Sequence, residues 1–228
     1  MIRTIFFDLD DTLLDFRRAE AESLRRTLPA FGIDPAPAIL ERYHELNAAQ
    51  WRLLEEGALT REQVLLRRYE LLFAELEMDC DPAAVCGLYE RNLAFGHWFI
   101  PGAEKLLETL APRYDLYLAT NGTAVVQHAR LDSAGIRRYF KGVFISEEVG
   151  ADKPSPEYFR RCMDAIPGFD PAAAIMVGDS LTSDIRGGQN AGIRTCWFNP
   201  KGKSIRPDIR PDCTIRALSE LPALLETL

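Results

Sequence analysis

Asp8 and Asp10 stand two residues apart at the end of the apolar run Thr4-Ile5-Phe6-Phe7, and Asp11 and Thr12 follow at once. Other polar groups close later apolar runs in the same way. Thr120-Asn121-Gly122 follows Leu116–Ala119, Lys153-Pro154 lies a short loop beyond Val143–Ile145, and Gly178-Asp179 follows Ile175–Val177, with Asp184 five residues on. Carboxylates so placed suit nucleophilic attack, acid–base transfer or binding of a hard cation. Each residue alone has a plainer reading, because Asp and Gly form ordinary loops, Thr can be satisfied in a turn and Lys can be solvated. Their repetition at the same end of consecutive strands implies one composite site, since open α/β sheets gather functional groups beyond the carboxyl ends of their strands. Asp8, Asp10, Asp179 and Asp184 in one crevice would repel. Two like charges ~4 Å apart do so by about 4 kcal/mol at an effective dielectric of about 20. A divalent cation with oxygen ligands removes that repulsion, and Lys153 reduces it. Mg²⁺ uses one or two protein carboxylates and keeps water and phosphate oxygens, so an acid cluster with one lysine suits phosphoryl chemistry.

The elements that must position these groups divide the chain. Thr4–Phe7 reads as a strand leading into the acid-rich loop, and residues from 15 to 98 then carry helical signals only. Leu24, Leu28 and Phe31 recur at helical spacing before Gly32. Thr60-Arg61-Glu62-Gln63 has the form of a capping box, and Asp81-Pro82 pairs an N-cap with proline in the first turn. From Pro101 onward short β-compatible runs, including Thr195–Phe198, alternate with helical stretches Gly122–Ala134, Pro156–Ala165 and Ser183–Ala191. Pro200–Pro211 reads as a surface loop before a last short strand and helix. The expected fold is α/β: a Rossmann-like parallel sheet with helices on both faces, formed by residues 1–14 and 99–228, with an all-α bundle of about four helices inserted at 15–98.

Bulk properties exclude several classes. A net charge of −7 argues against nucleic acid as partner without excluding a small phosphorylated substrate. No apolar run approaches the ~18 residues that span a bilayer, and the first residues read as a strand, so a cytoplasmic, membrane-independent protein is expected. The five cysteines lack metal-ligand spacing and read as buried free thiols. His44, His97 and His128 are scattered, with no partner at i+4.

Taken together these residues resemble the haloacid dehalogenase superfamily, in its phosphatase branch. Its Asp-x-Asp-x-Thr motif matches Asp8-Leu9-Asp10-Asp11-Thr12, its strand-ending Thr or Ser matches Thr120, its lysine before proline matches Lys153-Pro154, and its Gly-Asp with a later Asp matches Gly178-Asp179 through Asp184. The resemblance implies a helical cap for the insert, Asp8 as nucleophile forming a phosphoaspartate, and Asp10 as general acid and then base. It implies Mg²⁺ held by the Asp8 carboxylate, the Asp10 carbonyl and Asp179, with Asp184 behind them. It places Thr120, Lys153 and the backbone N–H groups near Leu9 and Asn121 on the phosphoryl oxygens. Asp11 reads as a solvated or capping acid, and Thr12 as a buttress of the loop.

Asn121-Gly122-Thr123, Gly178–Gly188 and Asn190–Asn199 look most like the subgroup that hydrolyses nucleoside monophosphates and favours pyrimidines. A nucleoside monophosphate is therefore the expected substrate, with a sugar phosphate or another small phosphorylated metabolite as the alternative, and a sugar-phosphate mutase sharing the same motifs. Haloacid dehalogenases lack an acid at the position of Asp10. Phosphonate-cleaving relatives need a cap lysine, whereas residues 15–98 hold ten arginines and no lysine. For the insert, Phe16, Arg17, Trp51 and the Glu55–Leu59 turn are candidate contacts, while Trp51 and Trp98 read as core.

Overall fold

The computed structural model describes residues 1–228. Six strands, β1 (Thr4–Phe7), β2 (Asp115–Thr120), β3 (Gly142–Ile145), β4 (Ala174–Gly178), β5 (Arg194–Phe198) and β6 (Cys213–Ile215), form one parallel sheet in the order β3-β2-β1-β4-β5-β6. β1 pairs on both edges, Ile5 lying opposite Leu116 on one side and Ile175 on the other. Strand direction alternates side chains between faces, so the short apolar runs supply two cores. Ile5, Phe7, Leu118 and Val177 pack with Leu106, Leu107 and Leu110 of α5 (Ala103–Leu110). Phe6, Ala119 and Met176 pack on the opposite face with Tyr158 and Phe159 of α7 (Pro156–Asp164). Burial on both faces is why these strands read as continuous apolar runs.

The insert holds α1 (Phe16–Thr27), α2 (Pro37–Glu55), α3 (Arg61–Glu75) and α4 (Pro82–Leu93) around a core of its own that includes Leu24, Tyr43, Tyr69, Leu72, Val85 and Tyr89. The capping box starts α3, with Thr60 accepting from the Gln63 N–H and the Gln63 side chain accepting from the Thr60 N–H, and Asp81 caps α4. Arg68 is buried here over the rings of Tyr43, Tyr69 and Tyr89 at 5.9, 5.1 and 5.2 Å. The chain leaves and re-enters the sheet domain through two segments side by side: Leu14 bridges Phe99, and the Asp15 N–H donates to the Trp98 carbonyl at 2.8 Å.

Two helices differ from their sequence-based bounds. The stretch expected from Gly122 becomes helical only as α6 (Ala124–Ala134), because Gly122 has a φ of +147° and Thr123 is extended. The stretch expected over Ser183–Ala191 is a π-turn, Leu181–Ile185, followed by α8 (Arg186–Asn190). The Ile185 N–H reaches back five residues to the Ser180 carbonyl at 3.1 Å, while the Asp184 carboxylate accepts the Ser180 N–H at 3.0 Å. That wider turn folds Asp184 back toward the strand ends.

Candidate active site

β1 and β4 are neighbours, and Asp8 and Asp179 are each the first residue beyond their strand. The Asp8 N–H still bonds the Val177 carbonyl at 3.0 Å, which carries the sheet ladder one residue further and fixes the backbone under the carboxylate. One ligand oxygen each from Asp8, Asp179 and Asp184 lies within 4.8 Å of the others. Gly178 makes that approach possible, because a Cβ there would stand 2.1 Å from an Asp184 carboxylate oxygen.

Lys153 neutralises part of this cluster. Its buried Nζ donates to Asp8 Oδ1 at 2.8 Å, to Asp184 Oδ1 at 2.6 Å and to the Ala119 carbonyl at 2.8 Å, spending all three protons. Burial opposes its charge, but Asp184 and Asp8 outweigh burial and push its pKa up, so it stays an ammonium. Asn121 holds the lysine backbone in place: its Oδ1 accepts the Lys153 N–H at 2.9 Å and its Nδ2 donates to the Lys153 carbonyl at 3.0 Å.

Charge remains in excess. Burial, with Asp184 and Asp10 nearby, pushes the Asp8 carboxyl well above its usual value against the pull of Lys153. Burial and the Asp184 charge push Asp179 up to about 7. An all-oxygen donor set that carries surplus negative charge out of water fits a small hard divalent cation such as Mg²⁺.

Thr12 is fully buried and joins the first and last motifs: its hydroxyl donates to Asp8 Oδ2 at 2.9 Å and accepts the Asp179 N–H at 3.1 Å. Asp11, at a φ of +58°, accepts the N–H groups of Phe16 and Arg17 at 3.0 and 3.3 Å and so anchors the start of α1. Leu9 buries its side chain in the core, and its carbonyl takes the N–H groups of Leu13 and Leu14 at 2.9 Å.

These residues floor a cavity of about 200 Å³ that Asp8, Asp10, Thr120, Asn121, Lys153, Asp179 and Asp184 all line; Leu9 does not line it. The insert roofs it with Phe16, Trp51, Glu55, Leu65 and Leu93. Trp51, near the end of α2, thus faces the cavity, as its reading as a candidate contact expects, and lies outside the insert's core, contrary to its reading as a core residue. Trp98 does pack against the insert's core, under Arg18 at 4.7 Å. Arg17 turns away to pair with Glu41. Sequence reasoning passed over Gln127 and Arg130, both buried on α6 and bonded to Asp10. Their signal was present as two polar residues three apart among Val126 and Leu131 on the buried stripe of a helix.

Known proteins give this arrangement its context. A family model for haloacid dehalogenase-like hydrolases matches residues 2–192. The HAD-hydrolase YfnB of Bacillus subtilis is 41% identical over 98% of this chain and 95% of its own length. Its crystal structure, described as bound to magnesium, superimposes with a TM-score of 0.94 over 98% of both chains. The pyrimidine 5'-nucleotidases PynA of Streptococcus pneumoniae and YjjG of Escherichia coli are 36% and 33% identical, over 95% and 97% of this chain and 92% and 96% of theirs. With the four motifs converging on one crevice and relatives matched along their full length, the chain belongs to the haloacid dehalogenase-like hydrolases and is an enzyme of their phosphatase type.

Proposed function

We propose that the protein is a Mg²⁺-dependent 5'-nucleotidase that hydrolyses pyrimidine nucleoside monophosphates through an aspartyl-phosphate on Asp8, with residues 15–98 as a cap over the core formed by 1–14 and 99–228. The observation that carries the chemistry is the Asp8 carboxylate at the floor of a roofed cavity, with Lys153 Nζ at 2.8 Å and the Asp179 and Asp184 carboxylates beside it. A carboxylate oxygen of Asp8 attacks phosphorus in line as the bond to the leaving oxygen breaks, and Asp10 gives that oxygen its proton. Asp10 then takes a proton from the water that attacks the phosphoaspartate, freeing inorganic phosphate and the Asp8 carboxylate. The Thr120 hydroxyl and the N–H groups near Leu9 and Asn121 stabilise the equatorial oxygens by hydrogen bonding, and the Lys153 ammonium does so by its charge. Asp8, Asp179 and the Asp10 carbonyl would hold Mg²⁺, which when bound would supply positive charge to the phosphoryl oxygens. Asp184 supports from behind, since its Oδ1 is bonded to Lys153 and its Oδ2 to the Ser180 N–H.

The nucleotide reading rests on two relatives that are pyrimidine 5'-nucleotidases and on the apolar and aromatic roof above the phosphate end. Contacts of this kind give modest selectivity, about 10–200-fold per methylene-sized contact, so several nucleotides are expected to turn over. The test compares kcat/KM for UMP, dUMP, dTMP and AMP with hexose and triose phosphates. A sugar phosphate that exceeds every nucleotide by about tenfold would replace the nucleotide while leaving the Asp8 chemistry in place.

A further inference from the structure

Asp10 is gripped at both oxygens from one helix. Arg130 Nη1 donates to Asp10 Oδ1 at 2.5 Å, and Gln127 Nε2 donates to Asp10 Oδ2 at 2.8 Å. Three residues separate Arg130 and Gln127 on α6, and they brace each other through Arg130 Nη1 and Gln127 Oε1 at 2.9 Å. Both are buried: Arg130 fully, while Gln127, which lines the cavity, is 3% exposed. A buried arginine is costly unless its charge is placed against a fixed partner, and among the contacts of this guanidinium Asp10 is the carboxylate. Three further contacts tie the pair to its surroundings. Gln127 Nε2 also reaches Thr120 Oγ1 at 2.9 Å and the Asn121 carbonyl at 3.3 Å, and Arg130 Nε donates to the Gly96 carbonyl at 2.8 Å. Gly96 belongs to the segment returning from the insert and lies so close to α1 that a Cβ on it would meet the Ala19 Cβ at 2.6 Å.

We propose that Arg130 and Gln127 are positioning residues that aim the Asp10 carboxylate at the leaving oxygen and couple its aim to the seating of the insert through Gly96. This rests on Asp10 being the acid and base of the proposed reaction. Each carboxylate oxygen has two lone pairs. With one on each taken by an α6 donor, the others stay open for the proton that moves to the leaving oxygen or from water. A carboxylate free to rotate would lose that alignment, and small misplacements of a proton donor are expensive in rate.

The test uses two substrates that need the acid to different degrees. Nitrophenolate departs without a proton more readily than phenolate, so kcat/KM is measured for p-nitrophenyl phosphate and phenyl phosphate on Asp10→Asn, Gln127→Ala and Arg130→Lys. The ratio between the two substrates is unaffected by any unfolded fraction, so a variant that folds poorly still reports. Asp10→Asn should lose phenyl phosphate activity by about 100-fold more than p-nitrophenyl phosphate activity, and Gln127→Ala and Arg130→Lys should shift the same ratio in the same direction by about tenfold. Added to Asp10→Asn, either α6 change should shift the ratio no further, because its effect passes through Asp10. If Asp10→Asn shifts the ratio and both α6 variants lower the two substrates equally, they are structural and the inference is overturned alone. If Asp10→Asn leaves the ratio unchanged, the acid–base reading fails and the inference falls with it.

Discussion

At the scale of single residues, the site depends on side chains that serve two partners at once. Asp8 is nucleophile and cation ligand in the proposed reaction, so Asp8→Asn should retain under about 1% of wild-type activity with an unchanged circular dichroism spectrum. More than that would remove Asp8 from the nucleophile's role. Thr12 makes a subtler case, because it touches the Asp8 carboxylate and the Asp179 N–H but does not line the cavity. Thr12→Val keeps its shape, removes one donor and leaves the Asp179 N–H without a partner. Urea unfolding should register a loss of about 1–3 kcal/mol, the cost of an orphaned buried polar group. A pH dependence also belongs here. Asp179 is raised to about 7, so below that pH a proton occupies the carboxylate that would hold Mg²⁺ in the proposed reaction. Apparent Mg²⁺ affinity, measured by calorimetry, should weaken by up to about tenfold per pH unit as pH falls through 7. The raised value also means that the metal-free fold loses stability as pH rises from the ordinary carboxylate range to about 7, while Mg²⁺ binds more tightly once the competing proton is gone, so the rise in Tm on adding Mg²⁺ should be larger at pH 8 than at pH 6. An affinity flat from pH 6 to 8 would take Asp179 out of the ligand set.

Elements set the distance between floor and roof. The insert touches the sheet domain at its hinge and also at its far side, where Arg61 at the start of α3 donates to Ser146 at 2.7 Å and pairs with Asp152, next to Lys153. On the same interface, Thr123 at the head of α6 donates to Glu90 of α4 at 2.9 Å. The Arg61–Asp152 pair is mostly buried, at 16% and 25% side-chain exposure, so it is screened less than a surface pair. If it helps hold the insert over the cavity, Arg61→Ala lowers the closed fraction, and apparent affinity falls in proportion. A loss of about 1 kcal/mol corresponds to a rise in KM of about fivefold. Inorganic phosphate, bound by the floor alone, should inhibit with nearly unchanged strength. Equal weakening of phosphate and substrate would place the effect in the floor, through Ser146 and the Gly122 N–H it accepts, instead of in closure.

For the whole molecule the decisive variable in the proposed reaction is the cation. Chelation should abolish turnover and Mg²⁺ restore it, while Ca²⁺, with its larger and looser oxygen shell, should bind and support little turnover. Full activity in excess chelator would end the metal argument. The same experiment, followed by thermal melting, tests stability, because a ligand that binds the native state alone raises Tm by mass action. No helix is long and apolar enough to cross a membrane.

What the sequence determined by itself was the family, the layering and the strand ends at which the polar residues gather. Asp8, Thr120, Lys153 and Asp179 were legible because parallel strands buried on both faces must be apolar, and a polar residue that ends such a run lies at the sheet's carboxyl edge. The capping box at Thr60 and the cap at Asp81 were legible for a related reason, since helix ends satisfy their free donors with neighbours in sequence. The remainder depends on contacts between residues far apart in the chain. Asp10 lies 117 and 120 residues from Gln127 and Arg130, and Thr12 lies 167 from Asp179. Periodicity marks a buried stripe but does not say which polar residue on it meets which carboxylate. The stretch from Ser183 was legible as helical, but not the π-turn at Asp184 that opens it, because its Ser180 contacts favour a wider coil than local propensity signals. Trp51 was misread because an aromatic on a helical stripe looks the same whether it fills a core or roofs a cavity. Only the seating of the insert on the strand tips decided between those two.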